Sequence, residues 1–211
     1  MKQTTEQMTK QTTTPSIACG PHAPNREQAL DRQLKNALRA DLLARRKALD
    51  AHGKAVSDEL IGRRVLAWCL AHGIASIGGY HPIRKEPDLL AAYNALAARG
   101  VHLSLPIVTN KDSPLEFRRW LPGEALSKDA LGTLVPGEEA PVVQPQALLV
   151  PCVGFNAAGM RLGYGGGFYD RTLAGPHRPL AVGVCYAFGL VEFAAERHDM
   201  PLDLVLTDAI E

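Results

Sequence analysis

The 211-residue chain lacks several features that would each point to a class of protein. Its formal net charge is only +1, so no overall field draws it to nucleic acid or to an anionic membrane surface. Its sequence contains no apolar run near the roughly 20 residues needed to span a bilayer. We therefore expect no nucleic-acid partner and no membrane partner, and any anion must be bound by a local group of side chains and amides.

Cysteine is scarce and shows no functional spacing. Cys19, Cys69, Cys152 and Cys185 form no CxxC pair, and no group of cysteines and histidines has the spacing of a zinc site. The last three lie within apolar runs, where a cysteine usually behaves as a small buried hydrophobe. This usage predicts a cytoplasmic protein, in a reducing compartment and without a disulfide framework.

The chain divides by composition into two parts. Residues 1–24 are rich in Thr, Gln, Pro and Lys without hydrophobic periodicity, which predicts a disordered N-terminal extension. They also lack the apolar segment of a signal peptide. Residues 25–211 are long enough for one compact domain.

The order of predicted elements within residues 25–211 indicates the fold class. Capping residues and apolar spacing predict helices that begin at Asn25, at Ser57 and at Asp88. Apolar runs of strand length occupy residues 74–80, 101–107, 147–153 and 180–187. Alternating strands and helices predict an α/β fold, a three-layer, mostly parallel open sheet flanked by helices in a single domain. Residues 121–145 are rich in proline and glycine and are predicted to form loops.

The first predicted helix carries an apolar stripe and a basic row. Leucines repeat at every fourth position and predict one buried face: Leu30, Leu34, Leu38 and Leu42. The basic row beside it includes Lys35 and Arg39, one turn apart, where like charges repel unless an anion lies between them. From the residues alone, the row is either a solvated face or a phosphate contact.

A glycine-rich stretch from Arg161 to Arg171 follows the apolar run at 147–153. Its glycines remove the side chains that would keep an anion away from the backbone amides. The two terminal arginines add positive charge, and Asp170 is a carboxylate suited to Mg²⁺ beside phosphate. The stretch therefore indicates either a polyphosphate-binding loop or a tight turn that requires positive φ angles.

Several motifs in this part of the chain resemble one family. Leu149-Val150-Pro151, Gly154-Phe155-Asn156, Gly159 and the stretch from Arg161 to Arg171 resemble the signature of the 5-formyltetrahydrofolate cyclo-ligases, also called 5,10-methenyltetrahydrofolate synthetases. Lys35-Asn36-Ala37-Leu38-Arg39 is similar to the KxxLR element that opens these proteins. The resemblance extends over most of residues 30–208.

The resemblance implies an activity. It implies the ATP- and Mg²⁺-dependent cyclisation of 5-formyltetrahydrofolate to 5,10-methenyltetrahydrofolate, with release of ADP and phosphate. It also implies a cytoplasmic enzyme whose N-terminal helix folds back over the mouth of the active site. We expect a monomer or a weak homodimer, with 5-formyltetrahydrofolate as its small-molecule partner.

The resemblance further implies roles for particular residues. The implied catalytic residues are Arg161, Tyr164 and Asp170. The implied nucleotide contacts are Lys35, Arg39, Arg161, Gly163, Tyr164, Gly165, Gly166, Gly167 and Tyr169. The implied folate contacts are Glu86, Tyr164, Gly165, Gly166 and Phe168, and the implied Mg²⁺ ligands are Asp170 and Asp203. Asp199 and Asp208 are weaker metal candidates, which we expect to be structural.

Two other classes of function stay open at this point. One is a non-catalytic nucleotide- or folate-binding regulatory protein on the same fold. The segment around Glu86 keeps it open, because relatives commonly continue with an aliphatic residue, Asp and Thr, whereas this chain reads Glu86-Pro87-Asp88-Leu89. The other is a sugar-phosphate isomerase-like or transferase-like enzyme that needs no ATP. A P-loop kinase is disfavoured because no GxxxxGK[ST] occurs.

Overall fold

A seven-stranded sheet forms the centre of the fold in the computed structural model, which describes residues 26–129 and 132–210. The expectations for residues 1–24 and for Asn25 as a helix cap lie outside this range. The strands follow the order β11-β10-β7-β1-β2-β3-β6 across the sheet. Their bounds are β1 Ser76–Gly78, β2 His102–Ile107, β3 Glu116–Arg119, β6 Val142–Val143, β7 Ala147–Pro151, β10 Leu180–Val184 and β11 Leu204–Leu206.

The sheet is mostly parallel, as predicted. Strands β11, β10, β7, β1 and β2 pair in parallel, and β3 and β6 add an antiparallel edge. Two small hairpins lie outside it, β4 Leu126–Lys128 with β5 Leu134–Pro136, and β8 Gly154–Phe155 with β9 Arg161–Leu162. The helices are α1 Arg26–Ala48, α2 Ala51–Ala71, α3 Leu90–Ala97 and α4 Phe168–Leu173.

Strand β7 shows why the apolar run at 147–153 is continuous rather than alternating. Ala147 and Leu149 belong to the core on the side of α2 and α3, whereas Leu148 and Val150 belong to the core that includes Leu173 of α4. Because both faces of the strand are covered, its first four residues are all buried and only Pro151, at its end, is partly exposed. This confirms the three-layer arrangement.

Two expectations for the first helices are wrong. Leu30 and Leu34 are 65% and 50% exposed, so only the later part of the leucine stripe is buried; there Leu42 packs against the β8–β9 hairpin. The second helix begins at Ala51 rather than after Ser57. Its cap is Asp50, whose carboxylate accepts a hydrogen bond from the Gly53 amide at 2.8 Å and so satisfies a free amide of the first turn.

Two further expectations need correction. Residues 121–145 were predicted to be loops, but they carry β4, β5 and β6, because short strands with few apolar residues give little periodicity. The glycine stretch does not follow β7 directly; the β8–β9 hairpin comes first, and Arg161 is the first residue of β9.

Within the described residues no helix has the length and apolar character to cross a membrane.

Candidate active site

Two loops meet at one edge of the sheet and define the candidate site. The loop after β1 carries Glu86, and the glycine loop, residues 163–167, follows the β8–β9 hairpin beyond β7. Strands β1 and β7 are parallel neighbours, so their carboxyl ends lie at the same edge. That edge is where open α/β sheets bind ligands.

Helix α1 closes over this edge, as expected. The Arg39 Nε donates to the carbonyl of Gly163 at 2.7 Å. About two turns later, the Arg46 Nη2 donates to the carbonyl of Cys152 at 2.6 Å. Burial lowers the pKa of Arg39, and the nearby charge of Arg161 acts in the same direction, against the carboxylates of Glu196 and Asp199.

The glycine loop presents unused backbone donors. Among the described residues, no protein group accepts a hydrogen bond from any amide between Gly163 and Gly167. Gly165 has a φ of 92°, which other residues rarely adopt. A Cβ on Gly163 would lie 2.4 Å from Nη1 of Arg161, so a side chain at this position would displace the Arg161 guanidinium. The loop has the free amides that an anion site needs.

Arg161 and Asp170 form an ion pair beside the loop. Their Nη2 and Oδ2 atoms are 2.8 Å apart, and the Arg161 side chain is only 7% exposed. The Arg161 guanidinium also lies over the ring of Tyr169, 5.4 Å from its centroid, and its buried Nε has no hydrogen-bond partner among the residues that the structure describes. A buried arginine with an unused donor is placed to receive an anionic oxygen.

Lys35 is buried rather than solvated, which removes the solvated-face interpretation for this residue. It is 4% exposed, and its Nζ lies 3.1 Å from Glu196 Oε1 and 3.0 Å from Asp199 Oδ2. The ammonium also lies 5.7 Å from the ring centroid of Phe193. Helix α1 therefore places a fixed cation next to two carboxylates at the same edge.

Glu86 is the most enclosed carboxylate of the candidate site. It is 2% exposed. Its Oε2 accepts a hydrogen bond from the Ile83 amide at 2.9 Å, and its Oε1 accepts one from the Tyr164 hydroxyl at 2.8 Å. Burial raises the pKa of Glu86, against the hydrogen bonds from Ile83 and Tyr164 and the charge of Arg46. Burial likewise raises the pKa of Tyr164, and the nearby Glu86 charge adds to the shift. The Tyr164 hydroxyl therefore lies beside Glu86, where the glycine loop contacts the loop after β1.

Arg46 belongs to this site, although the sequence predicted no role for it. It is 1% exposed, and its Nη1 donates to the Tyr164 hydroxyl at 3.1 Å. Its Nε has no partner, in the part of the chain that is described. One signal was available: position 46 continues the four-residue spacing of Leu38 and Leu42, where an arginine would not be expected.

Asp203 does not lie with Asp170. Its two carboxylate oxygens accept from Nη1 of Arg178, each at 3.0 Å, and Oδ2 also accepts from the Ala181 amide at 2.7 Å. Ala181 is near the start of β10, whereas the glycine loop lies beyond the other end of the parallel strands. The structure instead places Asp199 near Asp170, because the amide of the next residue, Met200, donates to Asp170 Oδ1 at 3.3 Å.

Two other residues of the glycine stretch have structural contacts. Arg171 donates to the carbonyls of Ser113, Lys111 and Gly166, so its guanidinium ties the loop to the segment before β3. It also lies over the ring of Phe168, 5.1 Å from the centroid.

Within the described residues, no group of three or more His, Cys, Asp or Glu could hold a metal ion.

Comparison with known proteins places these features in a family. The model of the 5-formyltetrahydrofolate cyclo-ligase family matches residues 31–208. A 5-formyltetrahydrofolate cyclo-ligase of Mycoplasma pneumoniae is 30% identical over 177 residues, which cover 82% of this chain and 98% of the relative. One of Mycolicibacterium smegmatis is 27% identical over 192 residues, which cover 82% and 93%.

Solved structures agree with the sequence relatives. The structure of a 5,10-methenyltetrahydrofolate synthetase from Mycoplasma pneumoniae superposes with a TM-score of 0.70 at 27% identity, over 83% of this chain and 99% of that one. The NMR structure of the Aquifex aeolicus 5,10-methenyltetrahydrofolate synthetase gives a TM-score of 0.72 at 27% identity, over 83% and 90%. With the fold, the glycine loop and nearly the full length of these relatives in common, the chain belongs to the 5-formyltetrahydrofolate cyclo-ligase family.

Proposed function

We propose that this protein catalyses the ATP- and Mg²⁺-dependent cyclisation of 5-formyltetrahydrofolate to 5,10-methenyltetrahydrofolate. One observation carries the proposal: Tyr164 belongs to a loop with free amides, and its hydroxyl binds the buried carboxylate of Glu86. A polyphosphate site and a site for the N–H groups of a reduced pterin therefore adjoin at one residue. The names of the relatives favour this enzymatic function over a non-catalytic binding protein.

The reaction needs activation of a poor leaving group. The formyl oxygen of the folate attacks the γ-phosphorus of ATP, and ADP leaves. The second folate nitrogen, N10, then attacks the formyl carbon and loses its proton; the carbon–oxygen bond breaks, and inorganic phosphate departs to leave the methenyl bridge. Phosphoryl transfer depends chiefly on positioning and on neutralising charge on the phosphoryl oxygens.

The nucleotide would lie along the glycine loop. The amides of residues 163–167 and the guanidinium of Arg161 would bind phosphate oxygens, while the ring of Tyr169 packs against the Arg161 guanidinium. Lys35 is a fixed cation at the same edge, and Arg39 ties helix α1 to the loop at Gly163. These positive groups are buried or partly buried, so they would interact with phosphate more strongly than solvated ones.

The carboxylates fit a Mg²⁺ ion that is shared with phosphate. Asp170 and Asp199 are each partly exposed and have one carboxylate oxygen in an ion pair, with Arg161 and Lys35 respectively. Mg²⁺ typically takes one or two protein carboxylates and completes its shell with phosphate oxygens and water, so no larger protein cluster is required. We propose Asp170 and Asp199 as its ligands; when bound, the ion would neutralise phosphate charge.

The folate would lie on the other side of Tyr164. Glu86 would accept hydrogen bonds from N–H groups of the pterin, with Tyr164, Phe168 and the exposed backbone of Gly165 and Gly166 lining the approach. The closed α1 helix would limit the entry of water, which would otherwise compete for the activated formyl carbon.

The test is conversion of 5-formyltetrahydrofolate by the purified full chain, followed through the absorbance of the methenyl product. We expect product only when ATP and Mg²⁺ are both present, with one ADP released per product. A non-hydrolysable ATP analogue and a chelator serve as controls. Binding of both ligands without product would favour the regulatory function, and product without ATP would contradict the proposal.

A further inference from the structure

Two opposite buried charges flank the hydroxyl of Tyr164. Arg46 is 1% exposed and Glu86 is 2% exposed. The hydroxyl oxygen accepts from Arg46 Nη1 at 3.1 Å, so its one proton is directed to Glu86 Oε1, at 2.8 Å. Tyr164 therefore bridges a donor and an acceptor that do not contact each other directly.

Tyr164 is the member of this group that is able to move. It is 36% exposed, and Gly163 and Gly165 flank it in the glycine loop. Glu86 is held by the Ile83 amide, and Arg46 is held by the Cys152 carbonyl at 2.6 Å. A folate cannot touch Glu86 while the tyrosine covers it, so folate binding must displace the hydroxyl.

Displacement of the Tyr164 hydroxyl leaves Arg46 and Glu86 each without one hydrogen-bond partner. A buried charged group without a partner is costly, and the Nε of Arg46 already lacks one within residues 26–129 and 132–210. The group that replaces the hydroxyl must therefore accept a hydrogen bond from Arg46 and also donate one to Glu86. The amide edge of a reduced pterin does both, because its 4-oxo oxygen accepts and the adjacent N3–H donates.

We propose that Arg46 is a specificity-determining residue that donates to the 4-oxo group of the pterin while Glu86 accepts from the neighbouring N–H, with Tyr164 occupying their place in the free protein. This rests on the proposed function, since it assumes that the folate reaches Glu86. Arg46 then distinguishes a hydrogen-bond acceptor from a donor at C4 of the pterin, in addition to anchoring helix α1 to Cys152.

The test compares two ligands that differ in the substituent at C4 of the pterin. Affinities are measured by calorimetry for 5-formyltetrahydrofolate and for its 4-amino-4-deoxy analogue, in which the 4-oxo acceptor becomes an amino donor and N3 no longer carries a proton. The variants are Arg46→Met, Arg46→Lys and Tyr164→Phe, each checked for folding by its thermal transition. Arg45→Met is the matched control, because Arg45 is the next residue, is exposed, and contacts the ring of Phe188 instead.

We expect the wild-type protein and Arg45→Met to prefer the 4-oxo ligand by about 10- to 100-fold, the range for a hydrogen bond to a charged group. Arg46→Met should lose a large part of this preference and keep only the part that depends on Glu86, Arg46→Lys should lose less, and Tyr164→Phe should keep the preference. Equal weakening of both ligands in Arg46→Met would mean a structural role only, and loss of the preference in Tyr164→Phe would assign it to the hydroxyl. Failure of the wild-type protein to bind either ligand would instead overturn the proposed function.

Discussion

At the scale of single residues, Asp170 carries the sharpest test of the proposed nucleotide site. It pairs with Arg161 at 2.8 Å, and we propose it as a Mg²⁺ ligand beside phosphate. Asp170→Asn keeps the size of the side chain but removes its charge, so we expect kcat to fall by about 100-fold or more. Steady-state assays at saturating ATP and Mg²⁺ measure this effect.

Asp203→Asn is the matched control for this substitution. Asp203 accepts hydrogen bonds from Arg178 and from the Ala181 amide, and it lies at a distance from the glycine loop. We therefore expect kcat to stay within about twofold of wild type, with a small loss of stability at most. If Asp203→Asn lost activity as severely as Asp170→Asn, the placement of Asp203 outside the site would be wrong.

Single residues also show which parts of the candidate site could be predicted from the sequence. Asp170 and Glu86 were predicted as site residues because each lies within or near a recognisable motif, and both lie at the candidate site. Arg46 was missed, since its partners are 106 and 118 positions away along the chain and nothing local indicates them. Asp203 was preferred over Asp199 because the family resemblance pointed to it, and the sequence alone does not show that its carboxylate bonds the Ala181 amide near the start of β10.

At the scale of elements, the glycine loop is expected to bind nucleotide through its backbone shape. Gly165 has a φ of 92°, and a Cβ there would meet nothing within 4 Å, so Gly165→Ala changes the backbone preference without steric contact. An L-residue in this region costs about 1–2 kcal/mol. We expect the affinity for Mg²⁺-ATP, measured by titration calorimetry, to fall by about tenfold.

Gly100→Ala provides the matched control for the loop. Gly100 has a φ of 83° after α3, and a Cβ there would also meet nothing within 4 Å. It should therefore lower the free energy of unfolding by about 1 kcal/mol while leaving the affinity for Mg²⁺-ATP unchanged. An equal loss of ATP affinity in both variants would show that general destabilisation, rather than the loop, sets the affinity.

The elements themselves were only partly readable from the sequence. The buried parallel strands were predicted because continuous apolar runs are strong signals, and β7 is an example. The start of α2 was misplaced because Ser57 is a common capping residue, whereas the observed cap is Asp50, which accepts from the Gly53 amide in the first turn. The β8–β9 hairpin was missed because each of its strands has two residues, too few for a period.

At the scale of the whole molecule, the fold places two ligand sites on either side of Tyr164. Its backbone belongs to the loop proposed for phosphate, and its hydroxyl holds Arg46 and Glu86. If each ligand displaces the tyrosine, the first ligand to bind bears the free-energy cost of moving it, and the second binds a protein in which it has already moved. The two ligands should then strengthen each other's binding.

This coupling has a reciprocal signature. We expect a non-hydrolysable Mg²⁺-ATP analogue to lower the Kd for 5-formyltetrahydrofolate by about fivefold or more, and the folate to lower the Kd of the analogue by the same factor. Tyr164→Phe cannot bridge Arg46 and Glu86, so the tyrosine is released more easily and the factor should fall toward one. Calorimetric titrations of each ligand, with and without the other at saturation, measure both factors. Independent binding in the wild-type protein would mean that Tyr164 separates the two sites without linking them.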